Sequence, residues 1–273
     1  MRLDVFLTDN GYTRSRSRAK ELIESGNVVF DGVVIKKPSW EVPTGEGISH
    51  KVELMSFEKY VSRGGLKLEG AIENFKIDVS GSVCVDIGAS TGGFTDCLLQ
   101  HGARFVYAFD SGKDQLVKEI ASNPCVLSRE KFNARNLKPE DISQHMCADV
   151  AVMDVSFISQ TYIIPNIYSV LKDGGIFISL IKPQFEAGAA ALDKGGIVRL
   201  ISDRKRAVEK VVLCATECGF ELMGLMRSPI EGGDGNIEYL AYFVRSKQCV
   251  DGGQTQENIN TSVSEFFKMT KNV

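Results

Sequence analysis

Residues 83–96, Val-Cys-Val-Asp-Ile-Gly-Ala-Ser-Thr-Gly-Gly-Phe-Thr-Asp, constrain the fold of this chain more than any other stretch. A short apolar run passes through a loop with three glycines and becomes an amphipathic pattern carrying Phe94, Cys97, Leu98 and Leu99. That order predicts a buried strand, a tight turn and a helix. Glycines let a ligand approach the backbone, and a helix start offers free N–H groups to polar atoms. The spacing of Gly88, Gly92 and Gly93 fits neither the dinucleotide fingerprint nor the phosphate loop with its Lys-Ser/Thr ending. Asp86 closes the strand, and an acid beside the loop suits a cationic ligand better than a pyrophosphate. S-adenosylmethionine carries a sulfonium and an amino group and is such a ligand. A plain tight turn is the alternative for this stretch on its own.

From residue 81 onward, strand and helix patterns alternate, as βαβ units require, so an α/β fold is expected. The apolar run 105–109 ends at Asp110, about 20 residues past the glycine loop, where a carboxylate can take both hydroxyls of a ribose. Residues 150–156 form a second buried run carrying Asp154 at its carboxyl end, and 176–183 a third carrying Lys182. Between these two, residues 158–171 read as a helix stopping at Gly174-Gly175. Residues 186–197 are small and glycine-rich, hence expected to be mobile. Residues 203–218 read as a long amphipathic helix, and 220–222 and 239–244 as final strands. From 247 to 273 a polar, flexible tail is expected, with order returning toward Val263 to Phe267.

Bulk properties exclude several classes. The 273 residues suffice for one large domain and one small one, and a net charge of −3 gives no whole-protein argument for nucleic acid, so any basic surface is local. No apolar run reaches the ~20 residues that span a bilayer. The N-terminus lacks the apolar core of a signal peptide, so no membrane partner and a cytoplasmic location are expected. Seven cysteines, an odd number with no C-x-x-C, point to free thiols in a reducing compartment. Cys214 and Cys218 are four apart, but nothing completes a metal site. No oligomeric state is set by the sequence.

Residues 1–50 form a compact pattern. Leu3, Phe6 and Leu7 mark one helix; Ala19, Leu22 and Ile23 mark a second, capped by Thr13 or Ser15 and ended by Gly26. Asp31-Gly32 between Val28-Val29-Phe30 and Val33-Val34-Ile35 is a hairpin signal. The segment 14–20 holds Arg14, Arg16, Arg18 and Lys20 with no acid, and Lys36 and Lys37 follow the hairpin, a set able to hold phosphates. A solvated helix face is the bland alternative. The order of elements, with Arg-Leu-Asp, Ser-Arg-Ser-Arg-Ala-Lys-Glu-Leu-Ile-Glu-Ser-Gly and Val-Val-Phe-Asp-Gly-Val-Val-Ile-Lys-Lys-Pro-Ser, resembles the alpha-L (S4) RNA-binding domain over nearly all of residues 1–48.

The strand-end groups Asp154 and Lys182 are expensive to desolvate unless paired, and are expected to interact. Proton removal from a ribose hydroxyl needs a base, and a lysine at its ~10.4 reference pKa is a poor one at neutral pH. A second cation and partial burial lower it. Lys67, Asp154, Lys182 and Glu238 lie in Ser-Arg-Gly-Gly-Leu-Lys, Met-Asp-Val-Ser-Phe-Ile-Ser, Ile-Lys-Pro-Gln-Phe-Glu and Gly-Asn-Ile-Glu-Tyr-Leu. These motifs resemble the Lys-Asp-Lys-Glu tetrad of FtsJ/RrmJ-type ribose 2′-O-methyltransferases. With the N-terminal domain, residues 2 to about 245 are similar to the TlyA (haemolysin A) family.

The resemblance implies a Rossmann-like S-adenosylmethionine-dependent methyltransferase domain at 59–246, with a mostly parallel seven-stranded sheet. A small α+β RNA-binding domain with its linker would occupy 1–58. It implies 2′-O-methylation of cytidine in ribosomal RNA, so ribosomal RNA or a ribosomal subunit is the partner, with no metal. Carried over, Gly88, Ala89, Ser90 and Gly92 line the cofactor pocket, with Asp110 on the ribose and Glu130, Asn133 and Arg135 near the adenine or the loop supporting it. Asp86, Gly93, Phe94 and Asp154 complete the cofactor set. Lys182 is the general base, Lys67 and Asp154 depress and orient it, and Glu238 positions Lys67. Arg2, Arg14, Arg16, Arg18, Lys20, Lys36, Lys37 and Arg63 are the candidate RNA contacts. The chain departs from the pattern at Ser-Gly-Lys-Asp-Gln-Leu after Asp110 (usually Val-Gly-Tyr-Gly-Gln-Leu), at Phe132 (usually Thr) and at Ala189 (commonly Arg). A non-catalytic RNA-binding or ribosome-assembly protein is the alternative, and a membrane-lytic haemolysin a more distant one.

Overall fold

Helix α1 (Leu3–Asp9) and helix α2 (Arg16–Glu24) bury Leu3, Leu7, Ala19, Leu22 and Ile23 against each other, the spacing expected of two amphipathic helices. Ser15 Oγ accepts the Arg18 N–H at 3.3 Å and so caps α2. Strands β1 (Val28–Phe30) and β2 (Val33–Val34) are joined by Asp31 and Gly32, whose φ values of 49° and 82° give the mirror-image turn that matches strand twist. Strand β3 (Val52–Leu54) pairs with the other edge of β1, so the expected linker returns into this unit. In this computed structural model the described residues are 1–13, 15–43, 50–54, 59–142, 144–246 and 256–269, and the chain divides into two compact units, Met1–Glu58 and Lys59–Val273.

The larger unit is built on one sheet. Its elements are α3 (Gly64–Phe75), β4 (Val83–Ile87), α4 (Gly93–Gln100), β5 (Phe105–Phe109), α5 (Lys118–Ala121), β6 (Val126–Arg129), β7 (Ala148–Met153), α6 (Ile164–Val170), β8 (Leu171–Ile181), α7 (Pro183–Glu186), α8 (Ile201–Glu217), β9 (Phe220–Arg227), β10 (Tyr239–Arg245) and α9 (Gln256–Met269). The strand order is β6-β5-β4-β7-β8-β10-β9, parallel except for β10, which runs against both neighbours. Alternate residues of β4 serve opposite faces. Val83, Val85 and Ile87 join the core under α6, α8 and α9, and Cys84 joins the core under α3 and α4. The chain order reverses between β4 and β7, which opens a crevice at their carboxyl ends.

Three expectations change. The helix expected over 158–171 is shorter: a 3₁₀ turn at Gln160–Tyr162 precedes α6, which starts where Pro165 suits the first helical turn. Leu171 already belongs to β8, pinned by Arg245, which donates to its carbonyl, and Lys172 pairs with Asp149 at 2.5 Å. The stretch 186–197 is held by a hydrogen-bonded turn, not left mobile. Asp193 Oδ1 accepts the Gly195 and Ile197 N–H groups at 2.8 and 2.9 Å, Arg199 pairs with its other oxygen, and Leu192 bridges to Val198. Within the expected flexible tail, Gln256–Met269 form α9, because Ile259, Val263 and Phe267 recur at helical spacing and are buried against α8 and β9.

Candidate active site

The carboxyl ends of β4, β5, β7 and β8 carry Gly88, Asp110, Asp154 and Lys182. Because β10 is antiparallel and Tyr239 pairs with Ile181, Glu238 at its start lies at the same sheet edge as Lys182. Lys67 reaches this edge from α3. The starts of α3 and α4 meet closely, since a Cβ on Gly93 would strike Ser62 and the Gly65 backbone. Much of the loop's glycine content therefore serves helix packing. At Gly88 the need is different: φ is +83°, and a Cβ would strike the Asp154 carbonyl.

Two pairs form. Lys67 Nζ donates to Glu238 Oε2 at 2.6 Å, both groups buried. Lys182 Nζ lies 2.6 Å from Asp154 Oδ1 as an ion pair out of hydrogen-bond alignment, and donates to Ser156 Oγ at 2.8 Å. A cavity of about 730 Å³ is lined by Gly88, Ser90, Phe109, Asp110, Phe132, Asn133, Asp154, Ser156 and Ile163 among others. A second, of about 180 Å³, is lined by Arg63, Lys67, Gly88, Ala89, Ser90, Gly93, Phe94 and Asp154. Gly88, Ser90 and Asp154 line both, so the larger space adjoins the lysine side of the site.

Asp86 and Gly92 line neither cavity. Asp86 is fully buried on the α3/α4 side of the sheet, where Oδ2 accepts the Thr95 hydroxyl at 2.6 Å and Oδ1 has no partner. Burial pushes its carboxyl up to about 7 and the nearby Asp154 and Asp110 add to this, against the Thr95 hydrogen bonds. Gly92 is the N-cap of α4, and a Cβ there would meet Leu116 and Ile120. Asp110 has a second occupation: its oxygens accept the Ser90 and Gly112 N–H groups at 2.7 Å each, fixing the glycine loop to the next turn. Glu130 accepts the N–H groups of Asp114, Gln115 and Leu116, and these donors hold its carboxyl below the usual range. Asp114 has a φ of 54°, which accounts for the glycine usual there.

In the small unit, Asp4 is buried and takes Arg2 in a two-bond fork at 2.9 and 3.0 Å and Arg16 at 3.3 Å. The Arg2 hydrogen bonds, reinforced by Arg16, hold its carboxyl at about 2. Arg2 and Arg16 are thus partly committed within the unit. Lys20, Lys36 and Lys37 have no carboxylate partner among the described residues. Arg14 lies outside the described residues. Among the described residues no cluster of three His, Cys, Asp or Glu could hold a metal, and no helix is long and apolar enough to cross a membrane. The sequence missed Ser156, the Phe109 wall, and the ion pair between buried Glu186 and half-exposed Lys210; Ser156 carried a signal, two residues beyond a strand-end acid.

The larger cavity fits S-adenosylmethionine by its lining: the Asp110 and Asp154 carboxylates suit a cation and ribose hydroxyls, Phe109, Phe132 and Ile163 offer aromatic and aliphatic walls for a base, and Asn133 adds an amide. The fold and site define an S-adenosylmethionine-dependent methyltransferase with a separate S4-type unit. An FtsJ-like methyltransferase family model matches residues 60–245 and an S4 domain model matches residues 1–48. The chain is 43% identical to Hemolysin A of Brachyspira hyodysenteriae, over 89% of this chain and 100% of that one. It is 37% identical to the 16S/23S rRNA (cytidine-2′-O)-methyltransferase TlyA of Mycobacterium tuberculosis, over 97% of each. A Streptococcus thermophilus structure described as a candidate hemolysin superposes with a TM-score of 0.75 at 38% identity, covering 100% of this chain and 97% of that one. This chain belongs to the TlyA family of FtsJ-like methyltransferases joined to an S4 domain.

Proposed function

We propose that this protein transfers a methyl group to a ribose 2′-oxygen of ribosomal RNA, with cytidine as the nucleotide and the cytoplasm as its place of action. The observation that carries this reading is the adjoining of the two cavities at Gly88, Ser90 and Asp154, with Lys182 paired to Asp154 and Lys67 to Glu238 beside them. The names of relatives, cytidine-2′-O-methyltransferases acting on 16S and 23S rRNA, support the substrate class.

When bound, the cofactor supplies an electrophilic methyl on a sulfonium. The chain's own residues do the rest. Gly88, Ala89 and Ser90 give backbone room at the loop, and Asp110 takes ribose hydroxyls with the lone pairs left by Ser90 and Gly112. Lys182 Nζ would accept the proton of the attacking 2′-hydroxyl as the new O–C bond forms and the methyl–sulfur bond breaks, its electron pair leaving with the sulfur as a neutral thioether. Asp154 and Ser156 hold that nitrogen in place. Lys67, tied down by Glu238, puts a second cation at the site, which steadies charge on the attacking oxygen. Arg63 and the basic residues Lys20, Lys36 and Lys37 contact RNA phosphates.

Lys182→Ala is expected to lower methyl incorporation into ribosomal subunits from cells lacking this protein by more than about 10³-fold, with S-adenosylmethionine affinity retained. Transfer at the normal rate by that variant would remove Lys182 from the base role.

A further inference from the structure

Behind the active site lies a buried polar network that the reaction described above does not use. Glu186, at the end of α7, is 6% exposed. Its Oε2 accepts the Ser159 hydroxyl at 2.6 Å and Lys210 Nζ at 3.0 Å, and its Oε1 accepts the Gln160 N–H at 2.7 Å. The Gln160 side chain, 1% exposed, accepts the Ser179 hydroxyl at 2.5 Å and donates to the Leu180 carbonyl at 2.5 Å.

The sequence positions of these bonds give the network its meaning. Ser179 and Leu180 precede Lys182, and Glu186 follows it. All are fastened to Ser159 and Gln160, which follow Asp154 and Ser156 on the neighbouring strand's loop. The segment bearing Lys182 is therefore gripped on both sides by the segment bearing its two partners. One tie would leave rotation about that point; two ties set where Lys182 Nζ falls relative to Asp154 and Ser156. A pair with its carboxylate buried and its ammonium half-exposed is weak as a source of stability, because desolvation of the one and solvent screening of the other offset their attraction. It is strong as a geometric device, because every polar atom must keep its partner. The Lys210 ammonium, half-exposed on α8, supplies the charge that lets Glu186 stay buried as a carboxylate.

Resting on the 2′-O-methyl-transfer reading, we propose that Glu186 is a positioning residue for the reaction: with Ser159 and Gln160 it clamps the Lys182 segment onto the Asp154–Ser156 loop. The test uses the full chain and three variants, Glu186→Ala, Glu186→Gln and Ser159→Ala. Transfer of labelled methyl from S-adenosylmethionine to ribosomal subunits gives kcat, calorimetry gives Kd for S-adenosylmethionine, and thermal melting reports the fold. Glu186→Ala is expected to lower kcat roughly 10- to 100-fold, the scale of an ångström of misplacement, while Kd changes by less than about threefold. Glu186→Gln recovers part of kcat, since its amide oxygen still accepts from Gln160 or Ser159. Ser159→Ala removes the bonds of its hydroxyl to Glu186, Lys210 and Thr161 while leaving the Glu186–Gln160 tie in place, and is expected to lower kcat by about threefold in the same manner. Unchanged kcat in both Glu186→Ala and Ser159→Ala overturns the clamp. A fall in kcat and in cofactor affinity that both track lost melting temperature overturns it as well, by making the network merely structural. Lys182→Ala is run alongside. If it retains transfer at the normal rate, Lys182 is not the base; if the wild type gives no transfer to ribosomal subunits, the parent reading fails; if the wild type is active, Lys182→Ala dead and the clamp variants normal, the clamp alone fails.

Discussion

Burial strongly changes the chemistry of Asp86, the acid beside the glycine loop. It is the next-to-last residue of β4, whose alternation sends it to the α4 side, and there its carboxyl is enclosed with one oxygen on Thr95 and the other without a partner among the described residues. Its folded pKa, pushed up to about 7, lies above the unfolded value of ~3.9. The native state therefore binds more protons than the unfolded one between these values. The stability from this group is full below about pH 4, falls as pH rises toward 7, and is flat above. Asp86→Asn, neutral at every pH and still able to accept from Thr95, is expected to match the wild type near pH 4. It should exceed it above pH 7 by up to about 4 kcal/mol, the equivalent of ~3 pKa units. Urea unfolding of both proteins from pH 4.5 to 8 checks this; a gap that does not widen with pH would sink it. The sequence marked Asp86 as a strand-end acid beside a cation site. It did not reveal that Asp86 lies behind the pocket wall, because that depends on Thr95 arriving from the next helix. Asp154 and Asp110 were legible for the opposite reason: they stand one residue past their strands, in the open crevice.

At the scale of elements, periodicity was read well where both faces of a segment are covered and poorly where polar residues interrupt it. The five strands 83–87, 105–109, 150–153, 176–181 and 239–244 are apolar runs and were found. Helix α9 is legible only around Val263 to Phe267, because Gln, Asn, Thr and Ser surround its apolar residues. Ile259, Val263 and Phe267 nonetheless form one stripe, and Phe267 packs on Tyr239 with ring centres 5.1 Å apart. Tyr239 directly follows Glu238, so the helix supports the strand end that carries a site residue. Val263→Ala is expected to destabilise the protein by roughly 2 kcal/mol, the cost of a buried cavity of that size. Chemical denaturation measures it, and an unchanged midpoint would mean that α9 contributes nothing to the core. The 186–197 stretch was misread for a related reason: small residues signal a loop, but Asp193 organises that loop through two backbone N–H groups and Arg199.

For the molecule as a whole, charge decides where RNA can be held. A net charge of −3 repels a polyanion on average, so affinity has to arise from a local set of cations. The basic segment of α2 was legible in the sequence, but its division of labour was not, because Asp4, buried 12 residues before Arg16, had no visible partner. In the folded unit Asp4 takes up Arg2 and Arg16, which shape the surface while remaining partly neutralised. Lys36 and Lys37, past the hairpin, have no carboxylate partner among the described residues and carry undiminished charge. Each phosphate contact releases counterions, so the logarithm of the RNA association constant falls with the logarithm of salt, by about 0.7 to 0.9 per contact. Replacing Lys36 and Lys37 by alanine is expected to flatten that slope by roughly 1.4 to 1.8 and to weaken binding most at low salt. The cofactor cavity belongs to the other unit, so S-adenosylmethionine affinity should stay unchanged. Binding of a ribosomal RNA fragment titrated across a salt series checks this. A slope equal to that of the wild type would take Lys36 and Lys37 out of the RNA contact and leave binding to the α2 cations and Arg63.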